Sequence, residues 1–234
     1  MDNLKKIVLL NWYLDETIDF VLGDNRNKQF IEKSSREDSK EVIDSIDLVE
    51  IKSIQDLIKY INKSDISDLK TYSKHTHVHQ GSLNPEILIV NDYPNSEEED
   101  RLDKILTDDC EKLLVKMLAA ININFEKTSI INTFFWRTPG DRKPTKSELD
   151  LTEPFFQKII ALLAPKYIIS LGDLALNMLM GGDVNLVDSR GSTLTHENTD
   201  TPIFPLFHPR ILIKQPSLKR LAWEDLKIIA NEIS

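Results

Sequence analysis

The stretch 87-ILIVNDYPNSEEED-100 decides the fold. Ile87 to Val90 are four successive apolar residues without polar alternation, the pattern of a short strand buried on both faces. The chain then turns through Asn91, Asp92, Tyr93, Pro94 and Asn95 into a run of acids. Three later stretches repeat the pattern: 129-SIINTF-134, 167-YIISLG-172 and 202-PIFPLF-207. Helical periodicity falls between and after them, at about 110–121, 146–163, 173–180 and 217–233. Leu113, Leu114, Met117, Leu118 and Ile121 form one apolar stripe, Thr145 and Glu148 have capping-box spacing, and Pro154 predicts a bend. Apolar strands alternating with amphipathic helices predict an α/β protein, a three-layer α/β/α arrangement around a central four-stranded parallel sheet.

In an open parallel sheet, ligands bind beyond the carboxyl ends of the strands. Those ends carry Asn91-Asp92-Tyr93-Pro94, Asn132, Leu171-Gly172 and His208-Pro209-Arg210. A carboxylate, an amide, a glycine turn and an imidazole therefore face one crevice.

Working outward, residues 4–22 have near-helical apolar spacing, so 1–22 is expected to be an N-terminal helix. Residues 23–45 are expected to be a polar, mobile linker, and 46–234 the main domain. Within that domain, Ile51, Ile54, Leu57, Ile58 and Ile61 mark a further amphipathic helix. With 41% hydrophobic residues in 234, the chain can bury a full core. No segment approaches the roughly 18 consecutive apolar residues of a membrane span, and the first residues lack the cleavage pattern of a signal peptide, so a cytoplasmic location without a membrane partner is expected. The single cysteine, Cys110, excludes an internal disulfide framework and any cluster held by several thiolates of this chain.

The net charge of −9 argues against a nucleic-acid partner, but it is unevenly distributed. Residues 125–234 hold 13 Lys+Arg and 13 Asp+Glu, so the whole excess lies in 1–124. Basic residues cluster at Arg137, Arg142, Lys143 and Lys146, and again at Arg210, Lys214, Lys219 and Arg220. Both groups follow strand ends, as loops gripping a phosphate backbone do, although simple solvation of the surface is the alternative.

Single residues leave choices open. Asp92 has the position of a turn or cap residue as well as of a catalytic acid. Asn132, late in an apolar strand, either caps the sheet edge or reads a ligand, because a buried amide without partners costs about 1–3 kcal/mol. His75, His77 and His79 would share a face if their segment were a strand, which suits either a metal site or, more commonly, an exposed strand. Glu97 to Asp100 read as a solvated helix start.

Taken together, 110-CEKLLVKMLAAININFEKTSIINTFFWRTPGDRKPT-145, 154-PFFQKIIALLAPKYIISLG-172 and 207-FHPRILIKQPSLKRLAWEDL-226 resemble the family 4 uracil-DNA glycosylases, and the resemblance extends from about Ser64 to Ile229. It implies base excision repair: flipping a uracil out of DNA and hydrolysing its N-glycosidic bond. His208 would stabilise the leaving uracil anion, Asp92 would match the water-positioning glutamate, and Asn132, with Tyr93 and Leu106, would bind the base. Pro94, Arg137, Arg142, Lys143, Pro209 and Arg210 would contact the DNA. The pattern is broken in places. The first motif, Gly-Glu-Ala-Pro-Gly in the family, reads Asn91-Asp92-Tyr93-Pro94-Asn95, Leu106 replaces the stacking aromatic, and Asp108-Asp109-Cys110-Glu111 replaces a glycine-rich turn. The family's four-cysteine iron–sulfur cluster matches Ser64, Ser67, Trp136 and Thr152. The expectation is therefore a monomeric, metal-free glycosylase without cofactor acting on uracil-containing DNA. The alternative is a catalytically degenerate module of the same fold that binds DNA or a protein.

Overall fold

The computed structural model describes residues 48, 50–182 and 184–233; the N-terminal helix and linker expected over 1–45 lie outside the described residues. In chain order the elements are α1 (Ile54–Lys63), α2 (Leu69–Tyr72), β1 (His79–Gly81), β2 (Ile87–Asn91), α3 (Glu97–Leu102) and α4 (Asp108–Ala119). Then come β3 (Ser129–Asn132), α5 (Lys146–Leu163), β4 (Tyr167–Leu171), α6 (Gly172–Met180), α7 (Leu186–Ser189) and β5 (Leu194–Thr195). The described chain ends with β6 (Pro202–Leu206), α8 (Pro209–Lys214) and α9 (Lys219–Ile233).

The sheet runs β1-β3-β2-β4-β6-β5. Its four central strands are parallel, as the continuous apolar runs predict. Sequence patterning missed the two short antiparallel edges, β1 on β3 and β5 on β6. Every residue of β2 and β3 is buried, and so are the last four of β4 and of β6. Strands buried on both sides require cover on both faces, which is the three-layer α/β/α arrangement. Helix α6 packs across β2, β4 and β6, and α9 packs on β6 and α4. Burying one Leu or Ile side chain is worth about 1.5–3 kcal/mol, so a strand such as β2 is fixed in register by its own sequence. That register sets Asn91 directly opposite Asn132 and Leu171 opposite Leu206.

Helix α5 occupies the expected span, continues through Pro154, and has its capping box: Thr145 accepts from the Glu148 N–H while Glu148 accepts from the Thr145 N–H at 2.7 Å. Strand β3 stops at Asn132 rather than at Phe134. The Thr133 and Phe134 N–H groups turn instead to the Asp92 carbonyl, at 2.9 and 3.3 Å, so the chain bends toward the first motif.

Two expectations are corrected. The strand through His75 to His79 does not form, since β1 begins at His79. His77 turns to Asp100 (3.4 Å), His79 to the Ser129 hydroxyl (2.7 Å), and only His75 stays largely exposed. Among the described residues no group of three or more His, Cys, Asp or Glu is arranged to hold a metal ion. The run Glu97 to Asp100 does start a helix, but Glu99 and Asp100 are buried at 3% and 2% exposure. Asp100 Oδ1 accepts from the Ser73 hydroxyl and from the Lys74 and His75 N–H groups at 2.8–3.2 Å, so this acid organises a loop instead of solvating a face. Among the described residues no helix is long and apolar enough to cross a membrane.

Candidate active site

The carboxyl ends of β2, β3 and β6 bring Asp92, Asn132 and His208 together, all three buried. Asn91 links them. The Arg210 N–H donates to His208 Nδ1 at 3.0 Å, which leaves the imidazole proton on Nε2. His208 Nε2 in turn donates to Asn91 Oδ1 at 2.7 Å. Asn91 Nδ2 donates to Asn132 Oδ1 (2.7 Å) and to the Ile105 carbonyl (3.3 Å), and Asn132 Nδ2 donates to the His77 carbonyl (3.0 Å). Each amide orientation is fixed by a backbone carbonyl, which can only accept. Sequence reasoning missed Asn91. Its signal was present: a polar residue closing an apolar strand, opposite a second asparagine once the register is known.

Asp92 stands beside this chain. Its Oδ1 accepts the Tyr93 N–H at 2.8 Å and lies 3.5 Å from His208 Nε2, while Oδ2 is paired with Arg210 Nη2. Burial raises the Asp92 pKa, but the charges of His208 and Arg210 and the hydrogen bonds outweigh it and bring the carboxyl down to about 2. Burial drives the His208 pKa down despite Asp92, so the imidazole is neutral at pH 7 and Arg210 supplies the charge that Asp92 faces there. The result is a fixed anion beside a neutral imidazole whose Nε2 proton points to Asn91 Oδ1. Gly172, at φ +86°, lets α6 start next to this histidine; a Cβ there would meet His208 Cβ at 3.5 Å.

The remaining expected residues divide into two groups. Tyr93 and Leu106 are buried near the first motif. Pro94 is buried in the same turn, and Pro209 opens α8 directly after His208. The basic residues are engaged: Arg137 with Asp141 (2.6 Å), Arg142 with both Glu148 oxygens (2.7 and 2.8 Å), and Arg210 with Asp92. Lys143 is exposed, and desolvation by its surroundings still lowers its pKa against the pull of Asp173. Arg210, expected on DNA, closes onto the candidate acid in this structure, because an ionised carboxylate at 8% exposure requires a cation.

A family model, the uracil DNA glycosylase superfamily, matches residues 78–227. The chain belongs to that superfamily. Among curated relatives, a type-4 uracil-DNA glycosylase of Sulfurisphaera tokodaii is 26% identical over 157 residues, 64% of this chain and 71% of the relative. One from Pyrobaculum aerophilum is 25% identical over 179 residues, covering 74% and 91%. A DNA polymerase of Bacillus phage SP01 is 30% identical over 172 residues, which is 72% of this chain but 18% of the polymerase.

This superfamily member departs from the type-4 pattern at the iron–sulfur positions, and the residues present do not fit a cluster. The Ser64 hydroxyl closes α1 by donating to the Tyr60 carbonyl (2.8 Å), Ser67 accepts the Leu69 N–H (3.2 Å), and Thr152 donates to the Thr133 carbonyl (2.9 Å). Trp136 is fully buried edge-on against Phe134 and Phe135, with centroids at 5.6 and 5.7 Å. Clusters of this type are held by thiolates, and hydroxyl and indole groups supply none.

Proposed function

We propose that this chain is a monofunctional uracil-DNA glycosylase that acts in the cytoplasm in base excision repair. The observation that carries this reading is the meeting of Asp92, Asn132 and His208 at the carboxyl edge of the sheet, the ionised acid beside a neutral imidazole with an Nε2–H donor. A flipped uracil is held by its Watson–Crick edge on Asn132. As the C1′–N1 bond breaks, its electron pair passes to the base, and His208 Nε2–H stabilises the anion at the uracil carbonyl oxygen. Asp92 stabilises the cationic sugar and orients the water that adds to C1′, and the proton that this water loses reaches the uracil anion through solvent. The products are free uracil and an abasic site. A preorganised donor of this kind is worth about 10²–10³ in rate. Arg137, Arg142 and Arg210 meet the phosphates by exchanging their present carboxylate partners, and Lys143 joins them, a step that salt weakens.

A second reading rests on a specific observation. Asn132 already uses its side-chain oxygen and Nδ2 within the protein, and Asp92 already holds Arg210. A module that binds DNA without releasing a base would look the same. Single- and double-stranded oligonucleotides with one uracil, incubated with the protein and cleaved by alkali, separate the two. Strand breaks at the uracil position support the glycosylase; salt-sensitive binding without breaks replaces it with the module.

A further inference from the structure

Asn91 has no role in the chemistry proposed above, yet it is 1% exposed and at the centre of the site's hydrogen bonding. Its carboxamide accepts from His208 Nε2 through Oδ1 and donates to Asn132 Oδ1 through Nδ2, both at 2.7 Å. A pyrimidine imide has the same sequence of groups along its edge: a carbonyl acceptor next to a ring N–H donor. An amide and an imide therefore compete for one donor and one acceptor. The third Asn91 bond, to the Ile105 carbonyl, ties the loop before α4 to the end of β2.

We propose that the Asn91 side chain is an internal stand-in for the pyrimidine edge, holding the base-reading groups in the free protein and leaving them when a base with a carbonyl beside a ring N–H enters. The proposal rests on the reading that His208 and Asn132 receive the base. Displacement of the amide also releases the Ile105 carbonyl, so entry of the base and loosening of that loop are one event. The site then selects bases at the moment of exchange. Uracil replaces both bonds in kind, whereas cytosine, with an unprotonated N3, presents an acceptor to Asn132 Oδ1 and loses one. A binding-competent state populated only in part weakens apparent affinity in proportion, so removing the competitor tightens binding.

The test uses the full chain and free uracil, with cytosine as control. Asn91→Gly and Asn91→Ala, each checked for cooperative unfolding, are expected to bind uracil at least about tenfold more tightly than the wild type, since each bond no longer contested is worth about fivefold. Should neither variant fold, amide NMR of the wild type decides: at saturating uracil the side-chain NH2 signals of Asn91 and Asn132 are expected to move together. Folded variants that bind uracil no better, or an Asn91 signal unmoved at saturation, overturn the proposal, as does the absence of uracil binding in every form. The two readings fail separately. Tighter binding of uracil by Asn91→Gly without base release from DNA leaves the stand-in intact and removes the glycosylase. Release of uracil by the wild type with unimproved binding by the variant does the reverse.

Discussion

Removing Arg210 tests the electrostatics of the site. The Asp92 carboxyl falls from 3.8 to about 2 on folding. At 1.36 kcal/mol for each pKa unit, this corresponds to on the order of 2 kcal/mol of stability, with Arg210 the cation that remains at pH 7, where His208 is neutral. A depressed carboxyl pKa stabilises the fold above its unfolded value, near pH 4, and that contribution is lost as the pH falls through about 2. In Arg210→Ala, Asp92 keeps its burial and loses its cation, and breaking a buried pair from one side typically costs about 3–5 kcal/mol. Urea unfolding at pH 7 is expected to show a loss of that size. The double variant Asp92→Asn/Arg210→Ala is expected to recover part of it, with a coupling energy of about 2 kcal/mol or more. Stability of Arg210→Ala within about 0.5 kcal/mol of wild type, a change typical of ordinary surface positions, refutes the claim that this pair organises the site.

Two further outcomes follow from buried groups nearby. Burial lifts the Glu99 carboxyl to about 7 against its bond from the Asn95 N–H, so its stabilising contribution is complete below about pH 4.5 and is lost as the pH rises through 7. The loss is on the order of 3 kcal/mol, so Glu99→Gln is expected to gain on the wild type between about pH 5 and 8 in denaturant midpoints, and parallel pH profiles would falsify this. Trp136→Ala empties the volume between Phe134 and Phe135 and is expected to cost about 3–5 kcal/mol in chemical unfolding; a much smaller loss means that Trp136 does not fill that space.

The parallel sheet was legible because its strands carry adjacent apolar residues without polar alternation, and the site's position followed from the sheet geometry. The resemblance then gave roles to Asp92, Asn132 and His208. The edge strands β1 and β5 were not legible, since three and two residues carry no periodicity. Burial of Glu99 and Asp100 was equally hidden, because their partners are backbone N–H groups supplied by distant or turning segments. Arg210 and Asp92 are 118 residues apart, and only the fold shows that the expected DNA contact is also the acid's counter-ion. Asn91 required the β2–β3 register before its partner was visible.

The central claim is that the donor at His208 Nε2 and the anion at Asp92 act together on a base held by Asn132. Single-turnover release of uracil from a single-stranded oligonucleotide, compared between wild type and folded His208→Ala, tests it most directly. A loss of about 10²–10³ in rate is the predicted result. Uracil release by His208→Ala at the wild-type rate would contradict the account.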